Sequence, residues 1–320
     1  MSSDPESLEN LIQTSSRALV IGVGGGGDVV GALAAARFLE FCGLEFVLGG
    51  LSWERSVFDP IPGPRMLSEV ENVRVLHPRV WMANPKSQTN TGVFFAESKM
   101  AAVCGKEVSL IDINGGVNGV VEGLEAAIKE FNTDLLVGVD VGGDSLAQGD
   151  EPGLRSPLAD SIMLAAYAEL ERRGHRTLWA VLGYGSDGEL TVDEIELALS
   201  KLAAVGGWLG TTSLTPQIAA ELAEVIKTVS TEASAIPVQC FYGAWGNTKI
   251  RSDQRNVKLT PLTALILFMS ATKLFQTLAR PAQAVRETSS LDEANDALHA
   301  IGVRTELDLE RERYSATKNP

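Results

Sequence analysis

Short apolar runs alternate with longer segments of helical periodicity along most of the chain. Strands are predicted for six runs, at residues 17–23, 44–48, 73–76, 108–113, 135–139 and 177–182. Helices are predicted for five segments, at residues 29–41, 94–103, 117–131, 157–173 and 192–205. Strands that alternate with helices of this length indicate βαβ units. We therefore predict an α/β fold, with a doubly wound, mostly parallel sheet, helices on both faces and an elaborated helical C-terminal part.

The last third of the chain has a different pattern. It predicts a helix at 216–229, a strand at 238–241 and a long apolar helix at 261–278. A helix that is apolar on all sides is buried in a core or in a subunit interface, so we expect a homo-oligomer. In the core, the polar segment 81–91 is predicted to be a long loop, and Ser156 to cap the helix that begins at Pro157.

These patterns divide one domain into three parts. We predict a lead-in, a Rossmann-like core and a C-terminal helical elaboration, at residues 1–16, 17–210 and 211–320.

Composition narrows the classes of function. The 320 residues include 27 basic and 41 acidic side chains, which give a net charge of −14. Such a charge argues against binding to nucleic acid or to an anionic membrane. The three cysteines and three histidines are scattered, without zinc-ligand spacing. With no signal-like N-terminus and no apolar run long enough to cross a bilayer, we expect a cytoplasmic protein.

Four consecutive glycines, Gly24, Gly25, Gly26 and Gly27, follow the first predicted strand and precede Asp28. A glycine turn before a helix directs amide groups and the positive end of the helix dipole at one point, which suits an anion. We interpret this stretch as a loop that binds phosphate or carboxylate. The alternatives are a tight turn without a ligand and, for Asp28, a first-turn acid that stabilises its own helix.

Three further strand ends carry glycines beside carboxylates. Ligands of open α/β sheets bind outside the carboxyl ends of the strands, so we predict one shared site. Besides the glycine run and Asp28, the candidate residues lie at the ends of three later predicted strands. They are Asp112, Asn114, Gly115 and Gly116 for the strand at 108–113, Asp140, Gly142, Gly143 and Asp144 for the strand at 135–139, and Gly185 with Asp187 for the strand at 177–182.

Carboxylates that converge repel one another unless a cation lies between them. Magnesium is typically bound by one or two carboxylates plus phosphate oxygens, so we assign Asp140 and Asp144 as Mg²⁺ ligands. Asp28 or Asp112 is then a further ligand or the general base. The predicted function is metal-assisted hydrolysis or transfer of a phosphoryl group on a small anionic or nucleotide-like metabolite.

Two alternatives stay open. One is a non-catalytic sensor of a nucleotide or phosphorylated metabolite. The other is an NAD-dependent oxidoreductase, because Gly22, Gly24 and Gly27 fit G-x-G-x-x-G after a strand. The second predicted strand ends in glycines, however, and lacks the acid that would bind the ribose of NAD. The NAD alternative is therefore the weaker.

Residues 241–258 form a basic segment in an acidic chain. It carries four cationic side chains and one acid, Asp253, for a local charge of 4 − 1 = +3. A basic segment could close over an anionic substrate. We therefore include Lys249 and Arg251 among the predicted ligand-binding residues. A solvated loop and a subunit contact are the alternatives.

Three motifs together resemble the domain-of-unknown-function 1152 family. They are GVGGGGDVVGAL (22–33), DINGGVNG (112–119), and VDVGGDSL followed by RSPLAD (139–160). The resemblance implies an α/β fold and an intracellular setting, and it assigns no reaction.

Overall fold

The computed structural model describes residues 7–252 and 254–318. The helices of these residues are α1 (Leu8–Gln13), α2 (Asp28–Phe41), α3 (Ala96–Cys104), α4 (Gly116–Phe131), α5 (Pro157–Arg172), α6 (Val192–Ala204), α7 (Pro216–Ile226), α8 (Ala235–Phe241), α9 (Ala271–Thr277), α10 (Arg280–Val285), α11 (Leu291–Ala300) and α12 (Glu306–Lys318). The strands are β1 (Arg17–Gly22), β2 (Glu45–Leu51), β3 (Val70–Glu71), β4 (Arg74–His77), β5 (Val80–Ala83), β6 (Gln88–Thr89), β7 (Val108–Ile111), β8 (Leu135–Val141), β9 (Thr177–Leu182), β10 (Trp208–Ser213), β11 (Gly246–Ile250), β12 (Arg255–Leu259) and β13 (Leu265–Met269).

Nine of the strands form one sheet, in the order β10-β13-β9-β8-β1-β2-β7-β5-β4. Its five central strands (β9, β8, β1, β2 and β7) pair in parallel. The two outer strands at each edge, β13 and β10 on one side and β5 and β4 on the other, are added by antiparallel pairing. The central strands are almost wholly apolar because helices cover both of their faces, as parallel sheets require. The prediction of a doubly wound, mostly parallel α/β fold is confirmed.

The two faces of the sheet carry different helices. Helices α2 and α7 pack on one face, and α4 and α5 on the other. From β1 the chain passes through α2 to β2, and from β8 it passes through α5 to β9 in the opposite direction along the sheet. The gap between β1 and β8 is therefore the topological switch point, the usual position of a ligand in such sheets.

The predictions for the last third were partly wrong. The segment predicted as one helix, 261–278, is a 3₁₀ turn followed by β13 and α9. A short apolar run such as Leu265–Met269 satisfies strand and buried-helix patterns equally, and Ser270 separates the two elements by capping α9. Because β13 is buried between β9 and β10, this segment no longer supports a subunit interface, and the homo-oligomer stays a prediction.

Three smaller differences have similar causes. The residues predicted as a strand at 238–241 belong to helix α8, and the loop predicted at 81–91 begins within β5. The edge strand β10 was missed because its side chains are mostly exposed and do not form an apolar run. The basic segment 241–258 is largely an antiparallel hairpin of β11 and β12, and Asp253 lies outside the described residues. Among the described residues, none of the helices is long and apolar enough to span a membrane.

Helix α2 approaches the sheet so closely that one of its positions requires glycine. A Cβ atom at Gly31 would lie 2.2 Å from Cγ2 of Val141, whereas one at Gly119 in α4 would lie 3.6 Å from its nearest neighbour, the Arg79 side chain. We expect Gly31→Ala to lower the free energy of unfolding by about 1–3 kcal/mol through overpacking. The matched change Gly119→Ala should raise it by up to about 1 kcal/mol. Urea unfolding of both variants tests this, and equal stabilities would contradict the packing described.

Candidate functional site

Five aspartates meet at the switch point. Asp28 begins α2, Asp140 lies in β8, Asp144 begins the 3₁₀ turn after β8, Asp160 lies in the first turns of α5, and Asp187 follows β9. Each is buried, with between 0% and 7% of its surface exposed. The convergence expected for Asp28, Asp140, Asp144 and Asp187 is therefore present in the structure.

The carboxylates form two groups that share a member. Oxygens of Asp140, Asp144 and Asp160 lie within 4.8 Å of one another, and so do oxygens of Asp144, Asp187 and Glu189. Oδ1 of Asp160 and Oδ2 of Asp187 are buried and accept no hydrogen bond from the described residues. Buried oxygens without a donor are costly, so this arrangement favours a cation.

Two members of these groups are fixed by the protein itself. Asp140 accepts hydrogen bonds from the amides of Gly143 (3.1 Å) and Ser145 (3.0 Å), and from the Ser145 hydroxyl (2.5 Å). Glu189 accepts hydrogen bonds from the amides of Arg155 and Ser156, from the Ser156 hydroxyl and from the Arg255 guanidinium. These bonds orient both carboxylates, and those to Glu189 occupy both of its oxygens.

Burial raises the pKa values of the aspartates. It raises the pKa of Asp28 to about 7, with the charge of Arg55 opposing the shift. Burial also raises the pKa of Asp144, Asp160 and Asp187 well above the usual range, and in each case neighbouring carboxylates add to the shift. Strongly shifted acids grouped in a cleft are typical of functional sites.

Three arginines face the carboxylates across the same small cavity. Arg55, Arg251 and Arg255 line it together with Asp28, Asp144, Asp160, Asp187 and Glu189. Burial, together with the charges of Arg55 and Arg255, lowers the pKa of Arg251 to about 10. Guanidinium groups that destabilise one another in this way indicate a place for an anion.

The cavity opens into a larger cleft. This cleft has a volume of about 580 Å³, and its lining includes Arg155 and Arg313 as well as the three arginines. The exposed side chains of Val57 and Phe58 form part of its wall. A second surface cavity of about 470 Å³, between α5 and α9, is lined by none of the five aspartates.

The glycine run serves close packing. Cβ atoms at Gly24, Gly25, Gly26 and Gly27 would lie 2.3–3.0 Å from Asp28, Trp53, Arg55 and Thr231. The amide of Gly24 donates to Oδ2 of Asp28, and that of Gly26 to the carbonyl oxygen of Trp53. The loop therefore directs fewer amides at a ligand than a phosphate cradle would.

Two of the later glycine loops serve the site by packing. A Cβ atom at Gly142 would lie 2.3 Å from Cγ of Asp187, and the amide of Gly143 binds Asp140. Gly185 donates its amide to the carbonyl oxygen of Gly142. The close approach of these loops holds Asp140 and Asp187 together.

The Asp112 loop lies outside the two carboxylate groups. Asp112 forms an ion pair with Arg79 at 2.6 Å and accepts hydrogen bonds from the amide and side chain of Asn114. Gly115 packs on Arg79, and Gly116 on the backbone near Thr288. This loop follows β7, which is separated from β1 by β2. Strand order thus removes these candidates from the switch point.

Comparison with known proteins gives a family and nothing finer. A family model described as a protein of unknown function (DUF1152) matches residues 19–314. The chain belongs to this family. No curated protein and no solved structure matches it.

Four residues of this DUF1152 site were missed or misassigned from the sequence. Asp160 lies within a quoted motif, and its place one turn into α5 was a usable signal. Arg55 lies between β2 and β3, Glu306 begins α12, and neither belongs to a motif quoted above. At the start of α5, the amides of Leu158 and Ala159 donate hydrogen bonds to the Glu306 carboxylate. The hydroxyl of Ser156 donates to Glu189 instead of accepting from an amide of the helix. The predicted Ser156 side-chain cap is thus wrong.

Glu306 gives a test of the burial of the site. Burial raises the pKa of Glu306 to about 7, against an ordinary value of 4.5. A carboxyl group whose pKa is raised on folding stabilises the folded state in its protonated form. This stabilisation is complete below about pH 4.5 and is lost as the pH rises through about 7. Because glutamine does not ionise, we expect the melting temperature of Glu306→Gln to rise relative to that of the unmodified chain as the pH increases from 5 to 8 in chelator. Glu196→Gln, an exposed control on α6, should follow the unmodified chain; parallel curves for Glu306→Gln would contradict the assignment.

Proposed function

We propose that the protein is an enzyme that uses a divalent cation to hydrolyse or transfer the phosphoryl group of a small anionic metabolite. The observation that carries the proposal is the pairing of two opposite charge clusters in one cavity. Oxygens of Asp140, Asp144 and Asp160 lie within 4.8 Å of one another, and Oδ1 of Asp160 is buried without a donor among the described residues. Arg55 and Arg251 line the cavity together with Asp144 and Asp160.

A cation together with a phosphate satisfies both clusters. Magnesium and manganese prefer carboxylate oxygens and complete their coordination with substrate phosphate oxygens. Arginine binds the remaining phosphate oxygens through charge-assisted hydrogen bonds. A carboxylate substrate would provide fewer oxygens to bridge the two clusters, so a phosphoryl group fits the charges better.

Asp28 is the proposed general base. Its Oδ2 accepts the amide of Gly24 at 3.0 Å, and the side chain lines the cavity. Its pKa of about 7 suits a base that works near neutral pH. In hydrolysis, the water oxygen bonds to phosphorus, its proton passes to Asp28, and the bond from phosphorus to the leaving oxygen breaks with its electron pair on that oxygen. In transfer, an acceptor hydroxyl takes the place of water.

The NAD alternative has less support. Glu54, three residues after β2, is buried and accepts the amide of Ala96, so it is not free to bind a ribose. A non-catalytic sensor would use the same cavity, and turnover distinguishes it from an enzyme.

The metal ligands can be tested by charge-neutral substitution. We expect Asp144→Asn and Asp160→Asn to lose the rise in melting temperature that Mn²⁺ gives the unmodified chain, and to lose turnover of phosphate monoesters by at least about 100-fold. Without metal, both variants should be at least as stable as the parent, because a carboxyl group whose ionised form is disfavoured by burial is replaced by a neutral amide. Asp150→Asn, an exposed control in the loop after β8, should behave as the parent. Stabilisation by phosphorylated ligands without any product would favour the sensor.

The hairpin gives a matched pair for the anion. Arg251 lines the cavity, whereas Lys249 is exposed and lines neither the cavity nor the cleft. We expect Arg251→Gln to raise KM for a phosphate monoester about tenfold with a smaller change in kcat, because binding of the ground state is lost. Lys249→Gln should leave both constants unchanged. Equal effects of the two substitutions on KM would refute the assignment of Arg251.

A further inference from the structure

We infer that the site takes a second divalent cation, which enters with the phosphoryl group and lies between Asp144 and Asp187. This inference rests on the proposed function and deepens it. The first cation is bound by Asp140, Asp144 and Asp160 before the substrate binds. The second cation is bound by Asp144 and Asp187, and phosphate oxygens complete its coordination. Asp144 bridges the two.

The first argument is the shared carboxylate. Asp144 is the member common to both groups of oxygens that lie within 4.8 Å of one another. Among the described residues its one side-chain hydrogen bond is a long contact of 3.4 Å from the Ser156 hydroxyl. A carboxylate with so little hydrogen bonding keeps lone pairs free on both oxygens, as a bridging ligand requires.

The second argument is the unpaired oxygen of Asp187. Its side chain is 5% exposed and lines the inner cavity, and Oδ2 has no donor among the described residues. The other oxygen, Oδ1, accepts the amide of Glu189 at 3.3 Å. The backbone of Gly142 lies so close to this carboxyl group that a Cβ atom there would be 2.3 Å from Cγ of Asp187. Oδ2 is therefore held at the cavity without a partner of its own.

The third argument explains why this cation needs the substrate. Glu189 completes the second group, yet its two oxygens already accept four hydrogen bonds, including the ion pair with Arg255 at 2.7 Å. It therefore acts as a positioning residue. Two carboxylates remain for the second cation, which is the number typical of Mg²⁺ or Mn²⁺ that is bound jointly with a phosphate.

A pair of cations also suits the chemistry. In two-metal sites the ions lie about 3.5–4 Å apart and stabilise the attacking and leaving oxygens of a phosphoryl transfer. Because Asp144 belongs to both groups, a cation in each group would share one carboxylate.

Manganese binding with inorganic phosphate as the probe tests the inference. Equilibrium dialysis with phosphate on both sides of the membrane counts bound Mn²⁺ per chain, and low-temperature electron paramagnetic resonance detects the exchange coupling of a bridged pair. We expect one bound Mn²⁺ without phosphate and two coupled ions with it. Asp187→Asn should stay at one ion in both conditions, whereas the exposed control Asp150→Asn should match the parent.

The outcomes separate this inference from the proposed function. One Mn²⁺ with phosphate in the parent, two in Asp187→Asn, or two in the parent without phosphate would each overturn the inference. The proposed function would survive all three results, since the resident cation is present in each. Absence of any bound Mn²⁺ would overturn both.

Discussion

Burial of several carboxylates at one point of the sheet is the constraint on which this structure depends. Ionised carboxylates removed from water are unfavourable unless they are paired, and neighbouring ones repel one another. The fold compensates with three arginines and with amides from the loop after β8, whereas Glu306 at the start of α5 adds a further buried acid. Asp160 and Asp187 still keep oxygens without donors. The remaining imbalance is the basis of the proposed cation site.

The same constraint explains the glycines around the site. Asp28 must come close to β8, and its Oδ2 lies within 3.4 Å of the amide of Val141. That approach brings the glycine run against Trp53, Arg55 and Thr231, where side chains on the run would collide. Gly31 continues the contact one turn later. The glycines are therefore needed first for proximity of charged groups, and only secondarily for amides directed at a ligand.

The sequence predicted the central βαβ units well because each apolar run there is buried on both faces and flanked by polar turns. It misassigned Leu265–Met269, whose apolar run has no period that separates a strand from a buried helix. Asp28, Asp140 and Asp144 could be found because each lies at the end of a recognisable strand or shortly after it. Glu306 could not, since its contact with the start of α5 joins residues about 150 positions apart and no local pattern records it.

Asp112 and Asp187 show why a loop motif alone does not define a site. Both follow strands of the parallel core beside paired glycines, and both are buried. Asp112 is neutralised by Arg79, and Asn114 supplies further donors, so its carboxylate has no unmet electrostatic need. Asp187 keeps one oxygen without a donor beside two other acids. Strand order decides which acids meet, and the absence of an internal partner decides which of them have a lone pair left for a ligand. On both criteria the proposed site lies between β1, β8 and β9.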